Sequence, residues 1–151
     1  MLMSYWIKSL GVSEHWLDED WFVGDRREWF ACPKSGRPGF EVGDRALIYA
    51  SGHQNLIGAV EITAAARYDP DFVRDEGGFD GQRWPWVVEH VPLLIVPRTS
   101  RGPHLTRAGV DTMSIRSHSH LFISPQQYRN GIAGLAEAAG MPGEPYAALA
   151  A

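Results

Sequence analysis

Cysteine is nearly absent from this chain of 151 residues, because Cys32 is the only one. A single thiol cannot form an intrachain disulfide or supply the paired cysteines of a zinc site. Lysine is almost as rare, with Lys8 and Lys34 alone. There is also no Gly-x-Ser-x-Gly motif and no phosphate-binding loop. These absences exclude a disulfide-stapled scaffold, a cysteine-based zinc module and the best-marked hydrolase and nucleotidase signatures.

Long apolar runs are missing as well. No segment reaches the roughly 18 consecutive apolar residues of a membrane-spanning helix, and Met1–Lys8 has no charged leader followed by an apolar stretch. We therefore expect a cytoplasmic protein with no membrane partner. Hydrophobic content of 44% and aromatic content of 11% are typical of a compact fold rather than of disorder. At this length we expect one domain over residues 1–142 and a frayed tail over 143–151.

Negative charge prevails overall, but it is unevenly placed. The net charge is −4, yet residues 98–130 carry five arginines against one aspartate, a local balance of +4 that leaves −8 for the remainder. Such asymmetry indicates a surface that faces an anion. Arginines on an ordinary solvated face would give the same pattern, so the sequence leaves both interpretations open.

A hairpin is the predicted centre of the fold. Residues 45–51 form an apolar run after a Gly-Asp turn, and after four turn-forming residues a second β-type run follows from 56. Neither face of the first run is polar, so we expect protein or ligand to cover both. Gly58 lies within the second run and indicates close approach by another backbone or a ligand.

Three further strands and one helix complete the prediction. The strands are predicted near residues 5–9, 45–51, 56–67, 84–96 and 113–123. Pro85 and Pro92 interrupt the fourth of these and indicate an edge or a bulge. Residues 17–30 have no clean period and are assigned to a connection, and 71–83 to a surface loop.

The final helix has the clearest boundaries. Ser124 is placed to cap it, Pro125 occupies its first position, Gln127 completes a capping box and Gly140 ends it. Five or six strands with one closing helix predict an α+β fold, a small mixed β-barrel or strongly curved sheet.

The order of these motifs resembles the EVE domain family, which belongs to the PUA-like superfamily together with YTH and ASCH domains. Tyr5-Trp6-Ile7 is similar to the opening of EVE domains, residues 43–51 to their central strand, and residues 56–62 to its partner. Trp84 with its following β-type run, and Ser114-Ile115 before a terminal helix, fall in the family's order. The resemblance covers residues 5–135, although the segment between Ser9 and Pro38 departs from the family pattern.

The resemblance implies a PUA-like barrel with peripheral short helices and a pocket for a modified nucleobase in DNA or RNA. Such a pocket stacks the base on aromatic rings and reads its edge with a few polar groups. The implied ligand-binding residues are Trp6, Tyr49, Ser51, Trp84 or Trp86, and Ser114, with Trp29 as a further wall. Core packing is the alternative for each tryptophan. Four arginines would contact the nucleic-acid backbone, namely Arg98, Arg101, Arg107 and Arg116.

Particular residues bear on functions other than base binding. His118 and His120 lie two apart, as a metal pair on a strand would, but no third ligand is identifiable, so we expect no metal and no cofactor. The enzymatic alternative is a small hydrolase of modified, for example acylated, nucleosides, similar to some ASCH proteins and using Glu61. A third possibility is an interaction module whose pocket is filled by its own side chains. The prediction from the sequence is a binding module without catalysis.

Overall fold

The computed structural model describes residues 3–11, 16–23, 28–141 and 143–150. Within these ranges the chain forms seven strands and four α-helices. The strands are β1 (Tyr5–Leu10), β2 (Trp29–Cys32), β3 (Arg45–Ala50), β4 (Asn55–Ile62), β5 (Arg67–Tyr68), β6 (Trp86–Ile95) and β7 (His120–Ile123). The helices are α1 (Pro70–Gly77), α2 (Thr112–Ile115), α3 (Pro125–Ala139) and α4 (Glu144–Ala150). Short 3₁₀ turns lie at Trp21–Val23, Thr99–Arg101 and Leu105–Ala108.

The strands form one curled sheet in the order β2-β6-β4-β3-β1-β7, and the short β5 also pairs with β6. Neighbours are antiparallel except β1 and β3, which run parallel. The sheet curls until its two edge strands approach each other, with Cys32 Sγ on β2 lying 4.0 Å from His120 Nδ1 on β7. The predicted α+β class and the barrel-like curvature are therefore confirmed.

Two apolar clusters cover the two faces of the sheet. The inner cluster contains aromatic side chains such as Phe30 and Phe40 together with Ile48 of β3. The outer cluster places α3 against the other face, where Leu47 packs with Ile132. Both faces of β3 are thus buried, as its uninterrupted apolar run predicts.

Two predicted irregularities occur where the sheet bends. Val60 pairs with Pro92 and Ala59 with Leu94, so Leu93 is the extra residue of a bulge directly after Pro92. At Gly58 a Cβ atom would lie 2.6 Å from the Phe22 ring and 2.8 Å from the Leu94 carbonyl oxygen. The close approach expected at Gly58 is therefore confirmed, with a backbone and an aromatic ring as the neighbours.

The predicted strand over residues 113–123 is too long. Only His120–Ile123 is a strand, and Thr112–Ile115 is the short helix α2. Asp111 caps this helix, since its carboxylate accepts from the Ser114 N–H at 2.8 Å. The alternation of residues 113–120 is typical of a strand, but the Asp111 cap stabilises a helical turn at the start of this segment.

Two segments predicted to be irregular contain regular structure. The predicted loop 71–83 contains most of α1, which starts at Pro70 behind an Asp69 cap and ends at Gly77, followed by a Gly78 cap in the left-handed conformation. The connection 17–30, of which 24–27 lie outside the described residues, includes the start of β2. The strand predicted over 56–67 ends at Ile62, and Arg67–Tyr68 form the separate β5.

The prediction of a frayed tail over 143–151 is also wrong for the described residues, because 144–150 form α4. Its Leu149 carbonyl accepts from Tyr128 Oη at 3.2 Å and from Arg45 Nη1 at 3.0 Å. Tyr146 and Leu149 also pack against the outer cluster. α4 is therefore docked on α3 and on the start of β3. None of the described helices is long and apolar enough to cross a membrane.

Candidate ligand-binding cleft

A cleft of about 750 Å³ opens where the curled sheet brings β2 and β7 together. Its walls come from strand ends and from the segment around α2. The lining residues are Ser9, Gly11, Pro33, Tyr49, Ser51, Gln54, Arg83, Trp84, Thr112, Met113, Ile115, Arg116, Ser117, His118 and Ser119.

Parallel pairing of β1 and β3 builds the first wall. Ser9 pairs with Tyr49, so the carboxyl ends of both strands reach the same edge of the sheet. A bulge lies next to this edge, since Ile48 pairs with Gly58 while Tyr49 pairs with Leu56. Bulges re-aim neighbouring side chains. This irregularity lies at the point where Tyr49 enters the cleft.

The second wall is the segment from α2 to β7. Its turn is fixed by the His118 N–H, which donates to the Ile115 carbonyl at 3.0 Å. The Ser9 N–H of β1 then donates to the Ser119 carbonyl at 2.8 Å. The turn is thus tied to the sheet by backbone bonds, which holds the side chains of Ser117, His118 and Ser119 at the rim and floor.

The charge of the cleft is opposite to that of the protein. Two arginines and one histidine line it, and none of the fifteen described lining residues is acidic, although the chain carries a net −4. Within the described ranges, neither Arg83 nor Arg116 forms an ion pair. The Arg83 guanidinium lies 5.9 Å from the centroid of the Trp84 ring. The cleft is therefore suited to an anionic ligand with a flat apolar part.

A buried lysine lies directly behind the floor of the cleft. Lys8 is 1% exposed, and its Nζ donates to Ser119 Oγ at 2.6 Å. The ammonium lies 5.4 Å from the Phe30 ring centroid and 5.8 Å from that of Trp84. Burial lowers the pKa of Lys8, and the neighbouring Cys32 thiol opposes this. No described carboxylate forms an ion pair with Lys8.

Two other titratable groups, the buried Cys32 of β2 and the half-buried His120 of β7, lie next to Lys8. Burial raises the pKa of the Cys32 thiol, so the neutral thiol is favoured. Burial, followed by the charges of Lys8 and His118, lowers the pKa of His120 to about 4. His118 lies at the cleft while His120 turns inward to Cys32. Among the described residues no group of three potential ligands could hold a metal ion.

Three of the predicted ligand-binding residues meet in the cleft, namely Tyr49, Ser51 and Trp84. Burial raises the pKa of Tyr49, so its phenol stays protonated and available as a hydrogen-bond donor. Trp84 is half-buried and presents the aromatic surface of the cleft.

The structure does not bring Trp6 or Ser114 to the cleft. Trp6 is 4% exposed, stacks on Phe122 at a centroid distance of 3.7 Å and donates from Nε1 to Asp44 at 2.9 Å. Its indole is a core anchor. Ser114 is exposed, and its hydroxyl donates to Asp111 at 3.0 Å within the helix cap.

Trp29 and Trp86 also lie elsewhere. Trp29 packs beside α1, with ring centroids 5.0 Å from Phe72 and 6.2 Å from Phe79. Trp86 meets Tyr68 edge-on at 5.4 Å. Both tryptophans belong to the region where β6 contacts β2 and β5, and neither lines the cleft.

The four predicted backbone-contacting arginines separate in the same way. Arg116 lines the cleft. Arg98 instead pairs with Glu19 at 3.3 Å, and Arg107 makes two 2.9 Å bonds to Glu137. Arg101 is exposed on a 3₁₀ turn outside the cleft. The basic stretch is therefore partly neutralised by acidic residues from other segments.

Lys8, Arg83 and Ser119 belong to the cleft or its floor but were not among the residues predicted from the sequence. One signal was present, because Lys8 alternates with Trp6 on β1 and so faces the apolar interior. Glu61, on which the hydrolase alternative rested, lies on β4 at 4.0 Å from Arg45 and does not line the cleft. That alternative therefore loses the residue that supported it.

No protein-family model matches the chain, and no curated protein matches it. Several solved structures do. The NMR structure of a protein from Rhodopseudomonas palustris matches with a TM-score of 0.52 at 16% identity, covering 94% of this chain and 97% of that one. A crystal structure from Agrobacterium tumefaciens gives 0.48 at 14% identity over 94% and 97% of the two chains. A hypothetical protein from Leishmania major gives 0.48 at 17% identity over 84% and 90%. The first of these supports the fold alone.

Proposed function

We propose that this chain is a PUA-like domain of the EVE type that binds a modified nucleobase in DNA or RNA and does no chemistry on it. The observation that carries the proposal is the lining of the cleft, which among the described residues contains no acid and combines an aromatic ring, hydroxyl groups and two arginines that pair with no described carboxylate, in a protein of net negative charge. The segments that resemble EVE domains supply β1, β3 and β4, three neighbouring strands of the sheet. A cytoplasmic location is part of the same proposal.

Trp84 is the stacking surface in this proposal. Stacking of a base on an aromatic ring contributes roughly 1–3 kcal/mol and tolerates any base. Arg83 lies beside the Trp84 ring and adds a flat cation on which a base can also stack. A base must leave its own stack to reach this ring, so the ligand is a single strand or a flipped nucleotide.

Polar groups around the ring would read the base edge. The Tyr49 hydroxyl donates, while Ser51 and Gln54 can donate or accept. Arg83 and Arg116 lie in the same cleft and would contact the flanking phosphates, which position the strand without specifying its sequence. A volume of about 750 Å³ is large enough for one nucleotide with its neighbouring phosphates.

Tryptophan fluorescence tests the proposal. We expect one modified base among a panel of single-stranded oligonucleotides to quench emission, because it stacks on Trp84. Two phosphate contacts predict a logarithmic salt slope of about −1.4. Trp84→Phe should remove most of the quenching but leave binding, as measured by anisotropy of a labelled oligonucleotide.

Matched arginine variants locate the site. Arg83→Gln and Arg116→Gln should each weaken binding and reduce the salt slope by about 0.7. Arg101→Gln removes the same charge from outside the cleft and should change neither. Equal effects of all three substitutions, or binding that ignores base modification, would show a non-specific basic surface instead of a reader.

A further inference from the structure

The contact between Lys8 and Ser119 determines which hydrogen atoms face the cleft. A lysine ammonium has three donors and no acceptor. Its 2.6 Å bond to Ser119 therefore uses an oxygen lone pair of the serine, and the hydroxyl hydrogen is left to another acceptor, either the neighbouring Cys32 sulfur or a ligand. Ser119 lines the cleft, and sulfur is a weak acceptor, so a ligand oxygen in the cleft can take this hydrogen in place of Cys32. The Ser119 hydroxyl therefore acts as a hydrogen-bond donor at the floor of the cleft.

The charge behind the floor lacks a counter-ion from the described part of the chain. Lys8 is 1% exposed, and its ammonium lies near the faces of the Phe30 and Trp84 rings and near the Cys32 thiol. Among the described residues that line the adjoining cleft, Arg83, Arg116 and His118 are basic and none is a carboxylate. A buried charge without a partner is costly, and a ligand that brings an anionic or carbonyl oxygen to Ser119 reduces that cost.

We propose that the Lys8–Ser119 pair selects a nucleobase whose inward substituent carries an oxygen acceptor, a carbonyl or a carboxylate. Substituents that are apolar or that carry hydrogen-bond donors are disfavoured at the same position. Ser119 touches the substituent, and Lys8 is a positioning residue that acts through the serine. This inference rests on the proposed function, since it names the class of base that the cleft prefers.

The test uses one single-stranded oligonucleotide in three versions. A single central pyrimidine carries at carbon 5 a methyl group, a carboxylate or an aminomethyl group. Affinities are measured for the wild-type protein, Lys8→Met, Ser119→Ala and Lys34→Met. Lys34 is the other lysine of the chain, it is exposed and it does not line the cleft, so Lys34→Met is the control for loss of one positive charge.

We expect wild-type protein and Lys34→Met to bind the carboxylate version about ten-fold more tightly than the methyl version, and the aminomethyl version least. In Lys8→Met and Ser119→Ala the ratio of the affinities for the carboxylate and methyl versions should fall to about two-fold. This ratio is measured within one protein, so a change that weakens all versions equally does not alter it, and Ser119→Ala decides the matter if Lys8→Met does not fold.

Other outcomes overturn the inference in distinguishable ways. If Lys8→Met and Ser119→Ala keep the wild-type preference, or weaken all three versions equally, a phosphate or nothing contacts the floor and the inference fails alone. A wild-type protein that favours the methyl or aminomethyl version has the same consequence. If wild-type protein binds none of the three, the proposed function fails together with it.

Discussion

Replacing Lys8 by methionine should make the folded protein more stable. The side chain is 1% exposed, and within the described residues its ammonium has no carboxylate partner. Apolar replacement of buried charged groups is often stabilising by about 1–4 kcal/mol. Methionine is flexible and close in length to lysine, so it fills the same space. The lost hydrogen bond costs little, because Ser119 lies at the cleft and can bind water.

We expect a gain of about 2 kcal/mol at pH 7, which for this chain length raises Tm by roughly 4–8 °C. The gain should depend on pH in a defined direction. Burial lowers the pKa of Lys8 below 10.5, so the unfolded chain binds more protons between the folded pKa and 10.5. Wild-type stability therefore rises with pH through that window, and the advantage of Lys8→Met shrinks as pH approaches 10.5.

Urea unfolding followed by circular dichroism measures both effects. Wild-type protein and Lys8→Met are compared at pH 7 and at pH 10, where tyrosine titration is common to both and cancels. A Lys8→Met protein that is less stable than wild type by 1 kcal/mol or more at pH 7 would contradict this prediction. An advantage that grows toward pH 10 would also refute it, because the charge of Lys8 would then not be its source.

Three further changes test the fold by urea unfolding. Asp44→Asn should lower the free energy of unfolding by about 2–4 kcal/mol. The Asp44 carboxylate accepts from the N–H groups of Ser4 and Glu41 at 3.0 Å and from Trp6 Nε1, and an amide cannot accept hydrogen bonds on both of its sides. An unchanged urea midpoint would contradict this. Gly58→Ala should lower the free energy of unfolding by about 1–3 kcal/mol, since the new Cβ would lie 2.8 Å from the Leu94 carbonyl oxygen. An unchanged stability would show that the two strands can separate there. Burial lowers the pKa of His90 to about 4 from 6.5, so His90 should contribute a loss of up to about 3 kcal/mol of wild-type stability as pH drops across that interval, in addition to the contribution of His120. His90→Leu should make this slope shallower without removing it, and a variant as steep as wild type would contradict the role of His90.

Local chemistry explains which elements are predictable from the sequence. The helix α3 carries its boundaries in Ser124, Pro125 and Gly140, and the structure shows the capping box. Asp69, Pro70 and Gly78 mark α1 in the same way, but the surrounding glycines favoured a loop. The segment before β7 misleads for the opposite reason, since its alternation is strand-like while one aspartate cap makes a helix.

The residues of the candidate site also differ in whether the local sequence predicts them. Tyr49 and Ser51 are predictable because they end a strand whose apolar run is unmistakable. The contact between Lys8 and Ser119 joins residues 111 positions apart and exists because β1 pairs with β7, with Lys8 opposite His120. Trp6 has the right residue type for a stacking wall, yet Asp44 and Phe122 hold it in the core. Residue type indicates the chemistry, whereas long-range pairing decides which side chains share a cleft.

An NMR titration of the indole N–H signals tests directly whether the ligand binds in the cleft. The protein is labelled with ¹⁵N, and the signals of Trp6, Trp29, Trp84 and Trp86 are assigned by single substitution. On addition of the preferred oligonucleotide, we expect the Trp84 signal and the backbone amides of 117–119 to shift most, while Trp6 stays in place against Asp44. Shifts confined to Trp29 and Trp86, or to the surface around Arg101, would contradict the assignment of the cleft as the binding site.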